Sequence, residues 1–519
     1  MRALLALLPC AVLVACGDDA PRREAVAHTL VQELRPTDTS SGLMWRYQAS
    51  DVVESQALDG GAFKVHFTRA GVNAVPGADV DDSGVPDFVE RVEESYEAVG
   101  ALYHGVLGYR RPLGDGALAS NGGDGRFDVY LLDFARSADG AFRVDQCPTA
   151  EQCIGYVVQE NDFAGYGYPS TTEATKILGS HEYFHAVQAA YDSNMNVVVS
   201  EGTAVWATEH FDPTTSDFEN FVGGYLERPE RSIDSPPPGP VPSFAYGSAI
   251  FFEFLTLRHD DALIRKLWEH LENGQGDPAE PQDRANPTFV VQLDALLKRE
   301  YASSFAAEFA EFARWNLYTA GAADAQAAWP QGAQFPPVAT VPVTLPYRVD
   351  GQRVFYASTQ YFEAPAAGRT AVTARLADSV FTNGDDREGL VVWLAARKAG
   401  RNTEVKRLTD AGETVDVAGG SVIVAVANTF RGPNGAALSQ RPIICIGTPG
   451  EVATCATGPV DAGVDAGVDA GTVDAGQPEL DAGTPDAGLP GPAQPAGCGC
   501  GMGASPWWLL ALLLLRTRS

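Results

Sequence analysis

Apolar residues at Ile177, Leu178, Phe184, Val187 and Ala190 recur at helical spacing and predict a helix from Thr172 to Ala190. Thr171 or Thr172 can cap its start, and Glu173 adds negative charge to the first turn. Similar spacing predicts helices over 87–100, 200–210, 246–258 and 304–318. Apolar runs at Phe63–Phe67, Phe127–Phe134 and Ile154–Val158 read as strands, and Asn196–Val199 as a short strand ahead of a helix capped by Ser200. From about Gln334 the pattern changes. Val354–Ser358, Thr370–Leu376, Leu390–Ala395 and Ser421–Ala427 alternate or run apolar between Gly, Asp and Asn turns, which predicts a β-sandwich of Ig-like size. The expected fold class is α+β, with sheet and helices over 46–333 followed by a β-sandwich accessory domain over 334–457.

The flanks carry no core pattern. Residues 458–496 repeat Asp-Ala-Gly and end Pro-rich, with almost no large apolar side chains, so an extended acidic stalk is expected. Residues 1–15 combine a basic start with an apolar run ending Leu13-Val14-Ala15-Cys16. That ending resembles a bacterial lipoprotein signal, which implies lipidation of Cys16; a plain signal peptide is the alternative. Residues 16–45 form a polar leader with some helix over 24–33, readable either as a stalk or as a pro-segment. Over 497–519, Gly497-Cys498-Gly499-Cys500 precedes an apolar run from Pro506 to Leu515 and then Arg516 and Arg518. The run falls short of the roughly 20 residues that span a bilayer comfortably. This end resembles the myxobacterial C-terminal sorting tail, which implies display or release at the cell surface; a simple anchor is the alternative.

Charge and cysteines fit export. The 519 residues carry a formal charge of −30, which disfavours nucleic acid and anionic membrane surfaces as partners and suits divalent cations. Membrane attachment is expected only through a lipid or the tail, and the chain is expected to be a monomer. Outside the two ends lie four cysteines, Cys147, Cys153, Cys445 and Cys455. They allow three connectivities; local pairing is expected because each close pair frames a short loop, and a four-cysteine zinc site is the runner-up.

The chemistry concentrates in His181-Glu182-Tyr183-Phe184-His185. Residues four apart share a helix face, so both imidazoles can reach one metal ion, with Glu182 close enough to reach its water. A catalytic zinc takes three protein ligands and leaves one place open. Gln188 and Tyr191 stand where a metzincin would have Gly and His, which excludes that pattern. Glu201, sixteen residues after His185 in Ser200-Glu201-Gly202-Thr203-Ala204, is the better third ligand; Asp192, Glu209 and His210 are rivals. A second motif, Asp79 to Glu90, matches the twelve-residue EF-hand loop. Asp79, Asp81, Ser83, Asp87 and Glu90 offer side-chain oxygens, Val85 its carbonyl, and Gly84 the turn. The segment before it is rich in Gly and Pro, so a single structural calcium is expected there. Asn121–Asp128 lacks that spacing and reads as a turn.

The His-Glu motif with its downstream Glu resembles the gluzincins. The resemblance implies a zincin-like metalloprotease domain with His181, His185 and Glu201 on zinc and Glu182 as general base. It also implies an oxyanion-stabilising Tyr or His downstream, for which Tyr246 is the candidate; a packing aromatic is the other reading of Tyr246. Together with Asp128-Val129-Tyr130-Leu131, Ser200 to Trp206 and Tyr246 to Ala249, these motifs resemble exported bacterial proteins inferred to be metalloproteases with this sorting tail. The expected function is a zinc-dependent endopeptidase acting on peptide or protein substrates. The alternative is a non-catalytic surface adhesin with structural metal sites, in which Glu182 would have no task.

Overall fold

The computed structural model describes residues 35–39, 42–149, 151–234, 242–272, 289–377, 389–432 and 437–457. The signal, Cys16, the helix expected over 24–33, residues 235–241 of a Pro-rich segment over 234–242, the stalk and the tail lie outside these residues.

Five strands form the first sheet: β1 (Glu54–Gln56), β2 (Phe63–Phe67), β3 (Phe127–Leu132), β4 (Gly140–Gln146) and β5 (Ile154–Glu160). Their order is β1-β2-β3-β5-β4. β2, β3 and β5 run parallel, and β4 lies antiparallel at the edge. Strand alternation assigns the two faces. Val65, Val129, Leu131 and Val157 face the helical core, while Tyr130, Leu132, Tyr156 and Val158 face a second cluster. Tyr47 lies in that second cluster, with Trp45 and Val53 packed against it, so an N-terminal segment rather than helices covers this face.

Arg35, from the leader, is buried on this same side of the sheet. It bonds Asp128 of β3, Asp145 of β4 (Nε 2.9 Å) and Asp115 (2.7 Å), with its guanidinium over the Tyr156 ring. Asp145 sits at an irregularity in the β4–β5 register, where a bulge re-aims a side chain. Arg35, near the end of the leader, thus has a structural role that the polar composition around it does not signal.

On the helical face, α1 (Asp87–Gly100) and α2 (Thr171–Ala189) pack against the sheet. Next come α3 (Val197–Phe211), α4 (Asp217–Leu226), α5 (Pro242–Gly247), α6 (Ala249–Arg258), α7 (Ala262–Leu271), α8 (Phe289–Glu300) and α9 (Phe305–Trp315). From Ala174 onward every residue of α2 except Lys176 is buried. Three local expectations change. Ser170, not a threonine, caps α2 by accepting from Glu173 N. Asn196–Val199 is no strand: Asn196 caps α3 through Val198 N and Val199 N, so the helix starts before Ser200. The helix expected over 246–258 is two, α5 and α6, meeting at Ser248.

The C-terminal strands are β6 (Val341–Pro342), β7 (Tyr347–Val349), β8 (Ser358–Pro365), β9 (Ala371–Leu376), β10 (Leu390–Lys398), β11 (Arg401–Arg407), β12 (Glu413–Asp416), β13 (Ser421–Asn428) and β14 (Ile444–Gly447). A short helix, α10 (Pro449–Thr457), follows. They form sheets ordered β11-β10-β13-β8-β6 and β12-β9-β14-β7 with one core between them. Val354–Ser358 contributes only an isolated bridge at Val354 before β8 begins. β13 shows why its sequence runs apolar without alternating. Val422, Val424 and Val426 face the core between the sheets, whereas Ile423, Ala425 and Ala427 join the core of the helices. Both faces of the strand are covered. Tyr361 Oη and Trp393 Nε1 donate to the carbonyls of Ala313 and Ala310 on α9, 2.9 and 2.8 Å away. The larger sheet is therefore bonded directly onto the helices.

Candidate metal centre

α2 presents His181 and His185 one turn apart, and α3 brings Glu201 to meet them. His181 Nε2 and His185 Nε2 are 3.1 Å apart; Glu201 Oε2 stands 3.3 Å from the first and 3.4 Å from the second. Bonds of about 2.0–2.2 Å in a tetrahedral shell put neighbouring ligand atoms about 3.3–3.6 Å apart. The triangle already has nearly that size, so the donor set fits a small divalent ion. All three side chains are buried.

Orientation is set around this triangle. Gln188 Nε2 donates to Ser200 O (2.8 Å) and Thr203 Oγ1 (3.0 Å), which turns its Oε1 toward His185 Nδ1, 2.8 Å away. Nδ1 therefore carries the proton of neutral His185, and the Nε2 lone pair is left for a metal. Close helix approach puts Glu201 in place. A Cβ on Gly202 would lie 2.3 Å from Ser248 Oγ of the α5–α6 junction, a fit only glycine allows. The charges of His185 and Glu201 shift each other's proton binding. Burial works to lower the His185 pKa, but Glu201, with help from Glu182 and Gln188, raises it to about 9. Burial works to raise Glu201, yet the two histidines bring it down to about 2. Without a metal, a proton supplies the positive charge that the carboxylate requires.

Glu182 is fully buried and reaches β4, where its Oε2 accepts from Phe142 N at 2.8 Å. A Cβ on Gly140 would lie 2.5 Å from Leu178 Cδ1 and 3.2 Å from Glu182 Cγ, so this glycine lets the edge strand lie against α2. Tyr246 is buried beside the centre, its ring 5.8 Å from that of His181 and stacked on Phe221 at 4.9 Å. Asp217 of α4 is buried and feels the charge of His181; burial first, then Asp139 and Glu219, raise it to about 7.

The rival ligands lie elsewhere. Asp192 Oδ1 accepts from Asn194 N at 2.7 Å. His210 pairs with Asp261 at 3.4 Å, and Glu209 belongs to a separate acidic cluster on α3, α4 and α6. Sequence reading missed Gln188, Asp217, Gly140 and Phe142. Only the position of Gln188, three residues past His185 on the same helix, was a local signal.

In the acidic loop, carboxylate oxygens of Asp79, Asp81 and Asp87 gather within 4.8 Å of one another. Asp82 and Gly84 take positive φ (55° and 88°), which folds the loop back so that Ser83 N (3.0 Å) and Gly84 N (3.0 Å) donate to Asp79. Ser83 Oγ lies 3.2 Å from Val85 O. Glu90, in the first turn of α1, stands outside the gathered group. Cys147–Cys153 and Cys445–Cys455 are bridged, as suits an oxidising compartment. No described helix is long and apolar enough to cross a membrane.

No protein-family model matches the chain, and no curated protein matches it. What defines the site is its own geometry: a buried His-His-Glu group on two adjoining helices that can hold a metal ion.

Proposed function

We propose that the chain is an exported zinc endopeptidase of gluzincin type. The observation that carries this reading is the triangle of His181, His185 and Glu201 with Glu182 one residue from the first ligand. Two nitrogens and one carboxylate oxygen suit zinc, and three protein ligands leave the open place of a catalytic site. Zinc held there would polarise a scissile carbonyl and acidify the attacking water. Glu182 takes the proton of that water as it adds to the carbonyl carbon, then delivers it to the departing amine nitrogen as the C–N bond breaks. Phe142 N–H holds the Glu182 carboxylate in place for both transfers. Tyr246, whose ring lies beside that of His181, is the residue proposed to donate to the developing oxyanion. The mixed sheet with its antiparallel edge strand over α2 supports a zincin-like domain, with the β-sandwich as its accessory.

On the same reading, the Asp79 loop holds one structural calcium, the chain works as a monomer on peptide or protein substrates, and Cys16 or the tail links it to the cell surface. The test is metal content and peptide cleavage. Wild type should hold one zinc in the triad and cleave; His185→Ala should lose that zinc; Glu182→Gln should keep it and lose about 10²–10⁴-fold in rate. Full peptidase activity in Glu182→Gln would remove the assignment.

A further inference from the structure

A cavity of about 310 Å³ opens where β2 and β3 begin. Its walls include Arg111, Leu113 and Asp115 from the chain after α1, Arg126 and Phe127 at the start of β3, and Tyr183 of α2. Small-molecule sites occupy about 300–1,000 Å³, so the space suits a small ligand. Tyr183 follows His181 by two residues, about 200° around the helix, so the cavity lies on the side of α2 turned away from the metal centre. The wall is held in place from behind. A π-helical turn, Ala101–Val106, follows α1 and carries His104; such turns recur at functional sites. Burial first, and the Arg111 charge with it, hold the His104 pKa below its usual value, so the ring is neutral. Its Nδ1 donates to the Tyr109 carbonyl (3.0 Å), which leaves Nε2 to accept from the Tyr183 hydroxyl (2.8 Å). The Tyr183 ring also meets that of Phe127 edge to face at 5.0 Å.

Most charge around the cavity is already engaged. Asp115 pairs with Arg35 at 2.7 Å, and Asp124 is shared by Arg126 (2.8 Å) and Lys64 (3.2 Å). Glu97 accepts from Ala62 N and Phe63 N at 2.5 and 3.1 Å. Arg111 is the exception: among the described residues its guanidinium has neither a hydrogen bond nor an ion pair. We propose that this cavity binds a small monocarboxylate with an apolar body, its carboxylate on Arg111 and its body against the Phe127 and Tyr183 rings. One uncommitted guanidinium calls for one negative charge, and its planar fork matches the two oxygens of a carboxylate. A phosphate would bring a second charge beside Asp115 with no cation left to meet it, and would leave the aromatic wall without an apolar partner.

Saturation-transfer NMR and calorimetry on the full chain test this with phenylacetate as the probe, against neutral phenylacetamide and inorganic phosphate. Wild type should bind phenylacetate saturably and the other two about tenfold more weakly or worse, the weight of one charge-assisted contact. Arg111→Leu should weaken phenylacetate by about the same factor. Its melting temperature without ligand should match wild type, because the guanidinium has no partner to lose. Leu113→Trp, which fills the cavity and removes no charge, should abolish binding. A zinc-selective chelator should leave the affinity unchanged, because the cavity is separate from the metal centre. No saturable binding by wild type, equal affinity in Arg111→Leu, phosphate binding as tight as phenylacetate, or loss of binding with the chelator would each overturn the proposal.

Discussion

Replacing Gln188 by alanine tests how the metal centre is held, because this one amide joins the second histidine to the helix carrying the third ligand. The change removes the bond from His185 Nδ1 (2.8 Å) and those to Ser200 O (2.8 Å) and Thr203 Oγ1 (3.0 Å). Losing the partner of a metal-binding histidine typically weakens metal affinity about 10–100-fold, or about 1.4–2.7 kcal/mol. The stability cost falls mainly on Ser200 O, since Thr203 Oγ1 still donates to Val199 O and accepts from Trp268 Nε1. Ser200 lies within α3 and its carbonyl keeps its helical partner, so losing this second donor costs about 0.5–1.5 kcal/mol. Gln188→Glu separates the two effects. Its carboxylate still accepts from His185 Nδ1 but faces the Ser200 carbonyl without a proton to offer, so metal affinity should hold while stability falls. Zinc competition against a chromophoric chelator, with thermal melting of the metal-free proteins, measures both quantities. If Gln188→Ala binds zinc as tightly as wild type, His185 is oriented by something other than this amide, and the reasoning fails.

Gly140→Ala puts a Cβ within 2.5 Å of Leu178 Cδ1 and 3.2 Å of Glu182 Cγ, so either the buried Leu178 side chain must repack or β4 must shift from α2. It should destabilise by about 1–3 kcal/mol and, on the proposed function, lower peptide cleavage with metal content intact; an unchanged melt and unchanged cleavage would contradict it. Arg35→Ala leaves Asp115, Asp128 and Asp145 buried without their counter-charge, and should cost about 3–5 kcal/mol by denaturant unfolding. A near-neutral Arg35→Ala would show that the N-terminal segment is dispensable. Metal uptake should depend on pH. His185 of the ion-free protein holds its proton up to about pH 9, so binding must expel that proton at lower pH. Zinc affinity should therefore fall as pH drops from 9 toward 7 and level off above 9; a dissociation constant that does not change between pH 7 and 9 would exclude this competition.

Local order in the sequence determined a large part of this protein. His181 and His185 share a face because four residues make about one helical turn, whatever surrounds the helix. Ser170 and Asn196 are ordinary capping residues; expecting Ser200 to start α3 failed because the Val197–Val199 run resembled a strand until Asn196 capped it as helix. The close spacing of Cys147 with Cys153, and of Cys445 with Cys455, made local bridges the simplest pairing. Tertiary structure decided everything that depends on chain segments far apart. Whether Glu201, Asp192, Glu209 or His210 joins the histidines depends on the direction in which α3 returns, and that direction rests on Gly202 against Ser248. The contact between Glu182 and Phe142 exists because edge strand β4 packs across α2, forty residues away in the chain. Arg35 looked like part of a polar leader, since no sequence pattern shows that Asp115, Asp128 and Asp145 converge under it. The physical reason is the same in each case. Periodicity and capping act over one or two turns of backbone, whereas burial, charge pairing and ligand convergence arise only when distant segments share one core.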